Sequence, residues 1–278
     1  MNKKIGRHGL SFFEEIIMEY LTNDGISLNF QSFGAGQPVI LVEGFGGYQE
    51  IWQAQIDYLV EMNCRVITYD HRNHGKSQRT SRNLTISQLA KDLAGLINYL
   101  QLQAPILIGH SMGASICYAY IQKYGNVKAV MAIDQSPKML NDSEWEYGFE
   151  NFTSDNFEEN ISYPNKIHET LHGLNNRVAF SLNKVRSQYP FNRKENVELL
   201  KDHFKRDWRP SLINCEIPMT LVLAKESPYF DYHFGDYLVQ NKKITSIVLD
   251  NCGHDIMAEI PEVFNQTLRH FIFTSRRN

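Results

Sequence analysis

The pentapeptide Gly109-His110-Ser111-Met112-Gly113 constrains the fold of this chain more than any other stretch. It follows the apolar run 105–108, which predicts a buried strand, and it precedes the apolar run 114–121, which predicts a helix packed on one face. Gly-x-Ser-x-Gly between a strand and a helix is typical of a nucleophile elbow, a sharp turn that lifts a serine hydroxyl clear of the sheet. We therefore predict that Ser111 is a nucleophile and that the backbone N–H of Met112 stabilises an oxyanion.

Glycine is expected to be necessary at both ends of this turn. A larger residue at Gly109 or Gly113 would collide with the neighbouring backbone where strand, turn and helix pack closely. The alternative interpretation is an ordinary strand-to-helix turn without a catalytic role.

Predicted strands and helices alternate along most of the chain. The strands are expected at 14–21, 26–33, 38–42, 65–69, 105–108, 127–133, 218–224 and 244–249. The helices are expected at 48–62, 85–100, 114–121 and 261–273. The Asp24-Gly25 dipeptide favours a hairpin turn between the first two strands. This order predicts an α/β fold with a mostly parallel eight-stranded sheet, a hairpin at its start, and helices on both faces.

The pattern changes between residues 137 and 212. Strand-like runs vanish there, and aromatic and charged residues mix at helical spacing. Because the segment follows the sixth strand at its carboxyl end, where ligands bind in open α/β sheets, we predict a small helical cap, or lid, over the site. The α/β core would then comprise residues 1–136 and 213–278; the alternative for 137–212 is an irregular surface excursion. The aromatic residues of the predicted cap include Trp145, Phe149, Phe152, Phe157, Tyr163 and Trp208.

Composition excludes several classes of protein. The chain has 278 residues and a net charge of −3, which gives no reason to expect binding to nucleic acid or to an anionic membrane. No segment is apolar enough to span a bilayer, and no long apolar run follows the basic residues at the N-terminus. The four cysteines lack the spacing of metal ligands, so we expect free thiols, no metal site and a cytoplasmic location.

Four segments together resemble the α/β-hydrolase fold superfamily, in particular its serine esterase and haloperoxidase-like members with a small helical cap. They are the glycine-rich loop 44–47, the Asp70-x-Arg72-x-His74-Gly75-x-Ser77 stretch, the turn 109–113, and Asn251-Cys252-Gly253-His254. The similarity extends over most of residues 14–275 outside the predicted cap. It implies an α/β-hydrolase fold with the cap inserted after strand six.

The resemblance also implies a base and an acid for Ser111. The superfamily order of serine, then acid, then histidine identifies His254 as the base, whereas His110 and His74 are expected to be structural. The usual acid position, after the seventh strand, is occupied by Ser227, which cannot supply a charge. Some members carry the acid at the end of the sixth strand, where this chain has Asp134. Asp134 is therefore the predicted acid.

Other assignments of these carboxylates remain open at this point. Asp134 could instead be a turn or capping residue, because aspartate is common before Ser-Pro. The acid would then come from Glu226, Asp231 or Asp236.

The resemblance places the second oxyanion donor at the backbone N–H of Phe45. The His-Gly pair that usually precedes this position is replaced by Glu43-Gly44. A carboxylate beside a developing oxyanion would oppose it, so we expect Glu43 to be structural and bonded to Arg72 or to loop N–H groups. If Glu43 faces the pocket, it could bind a basic or hydroxylated substrate.

The predicted function is that of a serine hydrolase that cleaves small carboxylic esters or related acyl compounds through an acyl-enzyme. The only expected partner is a small-molecule substrate, and no metal or organic cofactor is required. A serine at the turn argues against dehalogenases and epoxide hydrolases, which resemble this fold but use aspartate there. The alternative is a catalytically weak ligand-binding or receptor protein on the same fold, suggested by the unusual residues Ser227 and Glu43.

Overall fold

A computed structural model describes residues 18–162 and 167–277. Its sheet has eight strands: β1 (Met18–Leu21), β2 (Ser27–Phe33), β3 (Gln37–Val42), β4 (Cys64–Tyr69), β5 (Ile106–His110), β6 (Ala129–Ile133), β7 (Met219–Ala224) and β8 (Ile244–Leu249). The strand order is β1-β2-β4-β3-β5-β6-β7-β8. β2 is antiparallel to β1 and β4, and the other neighbours are parallel. The predicted mostly parallel sheet is confirmed, although residues 14–17 of the first predicted strand, and Tyr163 of the predicted cap, lie outside the described residues.

Ten α-helices lie in the described part of the chain. They are α1 (Gln53–Glu61), α2 (Ile86–Tyr99), α3 (Met112–Lys123), α4 (Phe157–Ser162), α5 (Asn176–Gln188), α6 (Val197–Phe204), α7 (Arg209–Ile213), α8 (Phe234–Leu238), α9 (Ile256–Glu259) and α10 (Pro261–Arg277). Short 3₁₀ turns at Gln49–Trp52 and Lys194–Asn196 precede α1 and α6. Two of these helices begin at a side-chain cap: Thr85 accepts a hydrogen bond from Gln88 N at the start of α2, and Asn175 accepts from Arg177 N at the start of α5.

Helices cover both faces of the sheet because side chains along each strand alternate between the faces. In β3, Ile40 and Val42 belong to one hydrophobic cluster, together with α2 and α3. Val39 and Leu41 belong to the other cluster, together with α1 and α10. The result is a helix–sheet–helix arrangement with one apolar layer on each side of the strands.

The predicted cap segment 137–212 contains α4 to α7 and packs on both layers. α6 packs against α2, and α7 against α3. α5 instead inserts Val178, Leu182 and Val185 into the layer shared with α1 and α10. The segment is thus anchored to the body on two sides, while its proposed boundaries and its role as a lid remain predictions.

The carboxyl ends of the parallel strands meet at one edge of the sheet. Ser111 follows β5 and Asp134 follows β6, and the loop after β8 carries His254. This topology brings residues that are far apart in the sequence to a common edge. Among the described helices, none combines the length and the apolar character required to cross a membrane.

Candidate active site

Ser111 occupies the sharp turn between β5 and α3. Its backbone has φ 53° and ψ −127°, a left-handed conformation that is strained for a residue with a side chain. A Cβ atom at Gly109 would lie 2.5 Å from Gly113 O, and one at Gly113 would overlap the carbonyl of Val42. Glycine is therefore required on both sides of the serine, because the turn is pressed against the backbone of β3 and α3.

The hydroxyl of Ser111 is available for chemistry. The residue is partly exposed, and within residues 18–162 and 167–277 its Oγ atom has no hydrogen-bond partner. The backbone N–H of Ser111 donates to Ile133 O at 2.9 Å, which extends the β5–β6 pairing and fixes the turn beside Asp134.

His254 and Asp134 form a buried hydrogen-bonded pair. Nδ1 of His254 lies 2.6 Å from Oδ2 of Asp134, and both side chains are almost fully buried. Since a carboxylate only accepts, Nδ1 carries the proton, and the neutral ring therefore presents Nε2 as an acceptor. This arrangement is the one required of a histidine base with an orienting carboxylate.

The surroundings of His254 favour its charged form. Burial opposes the imidazolium, but the hydrogen bond and the negative charge of Asp134, together with the charges of Asp255 and Glu169, outweigh that effect and raise the pKa of His254. The pocket can therefore stabilise an imidazolium formed during proton transfer.

Asp134 is fixed by more than the histidine. Its Oδ1 accepts from Ala224 N at 3.1 Å, and its Oδ2 also accepts from Ser227 Oγ at 2.7 Å. Ser227, which stands where the superfamily usually places the acid, thus donates to the carboxylate on the neighbouring strand. The sequence indicated that Ser227 occupies the usual acid position, but its contact with Asp134 was not predicted. The available signal was a hydroxyl near the end of β7.

The other candidate acids lie elsewhere. Glu226 accepts from Asn251 N at 2.9 Å, which orders the loop before His254. Asp231 pairs with His233 at 2.6 Å, and Asp236 lines the same surface hollow as Asp231. Among the described carboxylates, Asp134 is the one that hydrogen-bonds to the imidazole of His254.

The two predicted oxyanion donors flank the serine. A Cβ atom at Gly44 would lie 3.1 Å from Ser111 Cβ, so the loop that carries Phe45 is in contact with the Ser111 turn. Within the described part of the chain, the backbone N–H groups of Phe45 and Met112 donate to no acceptor. Two unpaired donors beside a serine hydroxyl are suited to an oxygen that gains negative charge.

The loop 44–47 is held in place by histidines of the 70–77 stretch. His74 Nδ1 donates to Arg72 O at 3.0 Å, so its Nε2 accepts from Gly46 N at 3.0 Å. His71 Nε2 donates to Glu43 O at 3.0 Å. His74, for which a structural role was expected, orders the loop that carries Phe45, and the sequence carried no signal for this contact.

Glu43 is a buried carboxyl that forms no ion pair with Arg72 in the described part of the chain. Its Oε1 accepts from His71 N at 3.3 Å, whereas Arg72 pairs with Asp24 and Asp92. Of the two expected partners, the loop N–H is therefore present and the arginine is not. Burial, reinforced by the charge of Asp70, raises the pKa of Glu43 well above its ordinary value. A protonated Glu43 carries no charge that would oppose an oxyanion.

A third carboxylate, Glu259, fastens the His254 loop. Its Oε2 accepts from Gly253 N at 2.7 Å, and its Oε1 accepts from Leu171 N and His172 N at 2.7 and 2.6 Å. The same side chain thus joins the histidine loop to the 137–212 segment. Sequence reasoning missed this residue because α9 is only four residues long and lacks a recognisable pattern.

Aromatic rings line the approach to His254. Tyr229 packs edge-on against the imidazole at 4.6 Å and stacks on Phe149 at 4.8 Å. Phe149 in turn contacts Phe152 and Phe204. This row of rings connects the histidine with the interior of the 137–212 segment and gives the site one apolar wall.

Comparisons with known proteins agree with this architecture. The chain is 30% identical over 112 residues to the non-heme chloroperoxidase CPO-A1 of Kitasatospora aureofaciens, covering 40% of this chain and 41% of that protein. It is 29% identical over 124 residues to the bifunctional esterase/perhydrolase DCH of Acinetobacter calcoaceticus, covering 43% and 45% of the two chains. These matches span less than half the length of either relative.

Whole-chain similarity is found at the level of the fold. The esterase EaEST of Exiguobacterium antarcticum superposes with a TM-score of 0.79 at 19% identity, covering 92% of this chain and 99% of that one. The family described as the α/β hydrolase fold matches residues 37–261, which include the serine turn, Asp134 and the His254 loop. The chain therefore belongs to the α/β hydrolase fold family.

Proposed function

We propose that this protein is a serine hydrolase that cleaves small carboxylic esters through an acyl-enzyme on Ser111. The observation that carries the proposal is the 2.6 Å contact between His254 and Asp134 at the sheet edge where the Ser111 turn also lies. The esterase activity in the name of the Acinetobacter relative supports the same reaction class.

The mechanism assigns one step to each group. Nε2 of His254 removes the proton from Ser111 Oγ as the oxygen attacks the ester carbonyl, and Asp134 stabilises the resulting imidazolium. The N–H groups of Phe45 and Met112 donate to the oxyanion. His254 then protonates the leaving alcohol, water attacks the acyl-enzyme by the same route, and the carboxylic acid departs.

The 137–212 segment is the proposed lid of this site. The ring of Phe149 in this segment stacks on Tyr229, and Tyr229 contacts His254. The lid therefore supplies part of the wall against which a substrate would pack. The aromatic lining favours apolar acyl or aryl groups near the reacting carbonyl.

A fluorophosphonate probe tests the assignment of the nucleophile and the base. We expect labelling at Ser111, loss of labelling in Ser111→Ala, and a large decrease in His254→Ala. Ser115→Ala and His270→Ala are matched controls. Ser115 is buried on α3, the helix that follows Ser111, and His270 is exposed on α10. A folded protein that neither labels nor hydrolyses 4-nitrophenyl esters would favour the ligand-binding alternative.

A second reaction is supported by the relatives. The chloroperoxidase and perhydrolase names indicate that similar chains act with peroxide. Hydrogen peroxide could attack the same acyl-enzyme in place of water, which would release a peroxycarboxylic acid and regenerate Ser111. Peracid formation from an ester and hydrogen peroxide, measured by halide oxidation and lost in Ser111→Ala, is the test.

A further inference from the structure

A cavity of about 540 Å³ adjoins the proposed oxyanion loop on the side of the 190–195 loop. Phe191 lines this cavity and packs against the loop 44–47. Its ring lies 5.1 Å from that of Phe45 and 4.8 Å from that of His74, and a Cβ atom at Gly46 would lie 3.2 Å from it. A ligand in this cavity would therefore lie against Phe191, whose ring packs on that of Phe45 in the proposed oxyanion loop.

Two arginines line this cavity in defined orientations. Arg79 donates from Nη1 to Ser77 O and from Nη2 to Gly75 O, both at 3.0 Å. The guanidinium carbon of Arg193 lies 5.4 Å from the centroid of the Phe45 ring, and Nη2 donates to Ile161 O at 3.4 Å. Each arginine is thus positioned by uncharged partners and retains free N–H groups.

Neither cation is neutralised by a close carboxylate. Within residues 18–162 and 167–277, no Asp or Glu oxygen lies within salt-bridge distance of Arg79 or Arg193. Lys194 adds a third positive charge to the lining and Glu195 one negative charge, which leaves an excess of two positive charges.

The electrostatic surroundings of Arg193 agree with an incompletely compensated charge. The residue is exposed to solvent, but burial of part of the guanidinium lowers the pKa of Arg193, and the charges of Tyr229 and Glu169 offset that effect only in part. A bound anion would supply the missing compensation, and guanidinium groups match the planar geometry of carboxylates.

We propose that Arg79 and Arg193 form a subsite for a carboxylate of the substrate, so that the preferred ester carries a negative charge away from the scissile bond. Monoesters of dicarboxylic acids have this chemistry. The proposal rests on the ester hydrolase function proposed above and adds the class of substrate.

The test compares charged and neutral esters of matched length. The probes are monomethyl esters of four- to six-carbon dicarboxylic acids and the corresponding methyl alkanoates, with product formation followed by NMR. We expect kcat/KM to favour the charged ester, and the ratio of charged to neutral kcat/KM to decrease roughly 10- to 100-fold in Arg193→Gln or Arg79→Gln. Arg193→Lys should recover part of the ratio, because it keeps the charge but loses the planar fork.

Lys184→Gln is the control for net charge, because it removes one positive charge from an exposed position on α5. It should leave the ratio unchanged. If the neutral ester is hydrolysed and both arginine variants keep the wild-type ratio, the subsite is wrong while the hydrolase function stands. If the wild-type protein hydrolyses neither ester but Ser111→Ala binds the monomethyl esters in an Arg193-dependent way, the subsite stands and the catalytic proposal fails. Loss of both activity and binding would overturn both.

Discussion

Asp134 Oδ2 lies 2.6 Å from His254 Nδ1, although the two residues are separated by 120 positions in the sequence. The contact crosses the end of β7, which lies between β6 and β8 in the sheet. We predict that Asp134→Asn decreases kcat by about 10³- to 10⁴-fold, since an amide neither stabilises the imidazolium nor holds the required tautomer. Steady-state kinetics with a 4-nitrophenyl ester would measure this loss.

Asp231→Asn and Asp236→Asn are the matched controls for this carboxylate, because both line a surface hollow. Each removes one charge near the same loops without touching the imidazole, so each should retain activity within a few-fold. Full activity in Asp134→Asn, or a comparable loss in either control, would show that the acid has been assigned incorrectly.

The hydroxyl of Ser227 suggests that the acid can be moved. Because Ser227 Oγ lies 2.7 Å from Asp134 Oδ2, a carboxylate at position 227 could approach the same ring nitrogen. We predict that Asp134→Asn/Ser227→Asp is more active than Asp134→Asn alone. Ser227→Asp alone should be less active than the wild type, because two adjacent carboxylates repel and one becomes protonated. The prediction fails if the double variant is no more active than the single one.

The sequence sufficed for those parts of the fold that depend on local patterns. The apolar run 38–42 corresponds to β3 at Gln37–Val42, and the predicted helix 85–100 contains α2 with Thr85 as its cap. α8, with five residues, was not predicted, because so short a helix cannot show a hydrophobic period. The predicted helix 261–273 corresponds to α10, which continues to Arg277. The predicted end came too early because the last turn of α10 is polar and does not extend the apolar pattern.

The candidate site could be predicted from the sequence only in part. The glycine requirement around Ser111 is local, and the sequence therefore anticipated it. The partner of Glu43 depends on how the 70–77 stretch folds back, and sequence alone left Arg72 and a loop N–H equally open. The hydrogen bonds of Ser227 and Glu259 join loops that are far apart in the sequence, so only the folded structure reveals them.

The raised pKa of His254 predicts the pH dependence of activity. A general base must be neutral, so kcat/KM should increase with pH and level off above the pKa of His254, which lies above the ordinary value of 6.5. Asp134 is the main group that raises this pKa. In Asp134→Asn the residual activity should therefore reach its plateau at a lower pH, as measured by pH–rate profiles. An unshifted acid limb would contradict the pairing.

Glu43 should contribute a pH-dependent loss of stability. Its pKa in the folded protein is well above 4.5, so the folded state binds more protons than the unfolded state once the pH exceeds that value. The free energy of unfolding therefore decreases as pH rises through this window. We predict that Glu43→Gln, which keeps the shape without the titration, loses less stability between pH 5 and pH 8 and retains esterase activity within a few-fold. Urea unfolding at both pH values tests the first expectation, and a steeper loss in the variant would contradict it.

Glu259 links the histidine loop to the proposed lid through one carboxylate. Three backbone N–H groups, those of Leu171, His172 and Gly253, donate to it at 2.6 to 2.7 Å, and the side chain is 8% exposed. The link is short, because Gly253 is one residue from His254. A Cβ atom at Gly253 would also overlap the carbonyl of Glu169, which shows how closely the two loops pack.

We predict that Glu259→Gln decreases the free energy of unfolding by about 1–3 kcal/mol, because the amide NH₂ cannot accept and leaves a buried backbone N–H unpaired. The same change should decrease kcat per titrated Ser111, since the loop before His254 loses its anchor. If Glu259 affected folding alone, kcat per titrated Ser111 would stay at the wild-type value. Urea unfolding and active-site titration with a fluorophosphonate provide the two readouts. Glu262→Gln, which removes an exposed carboxylate three positions along the chain, should change neither. Equal kcat per active site in Glu259→Gln and the wild type would limit Glu259 to a role in stability.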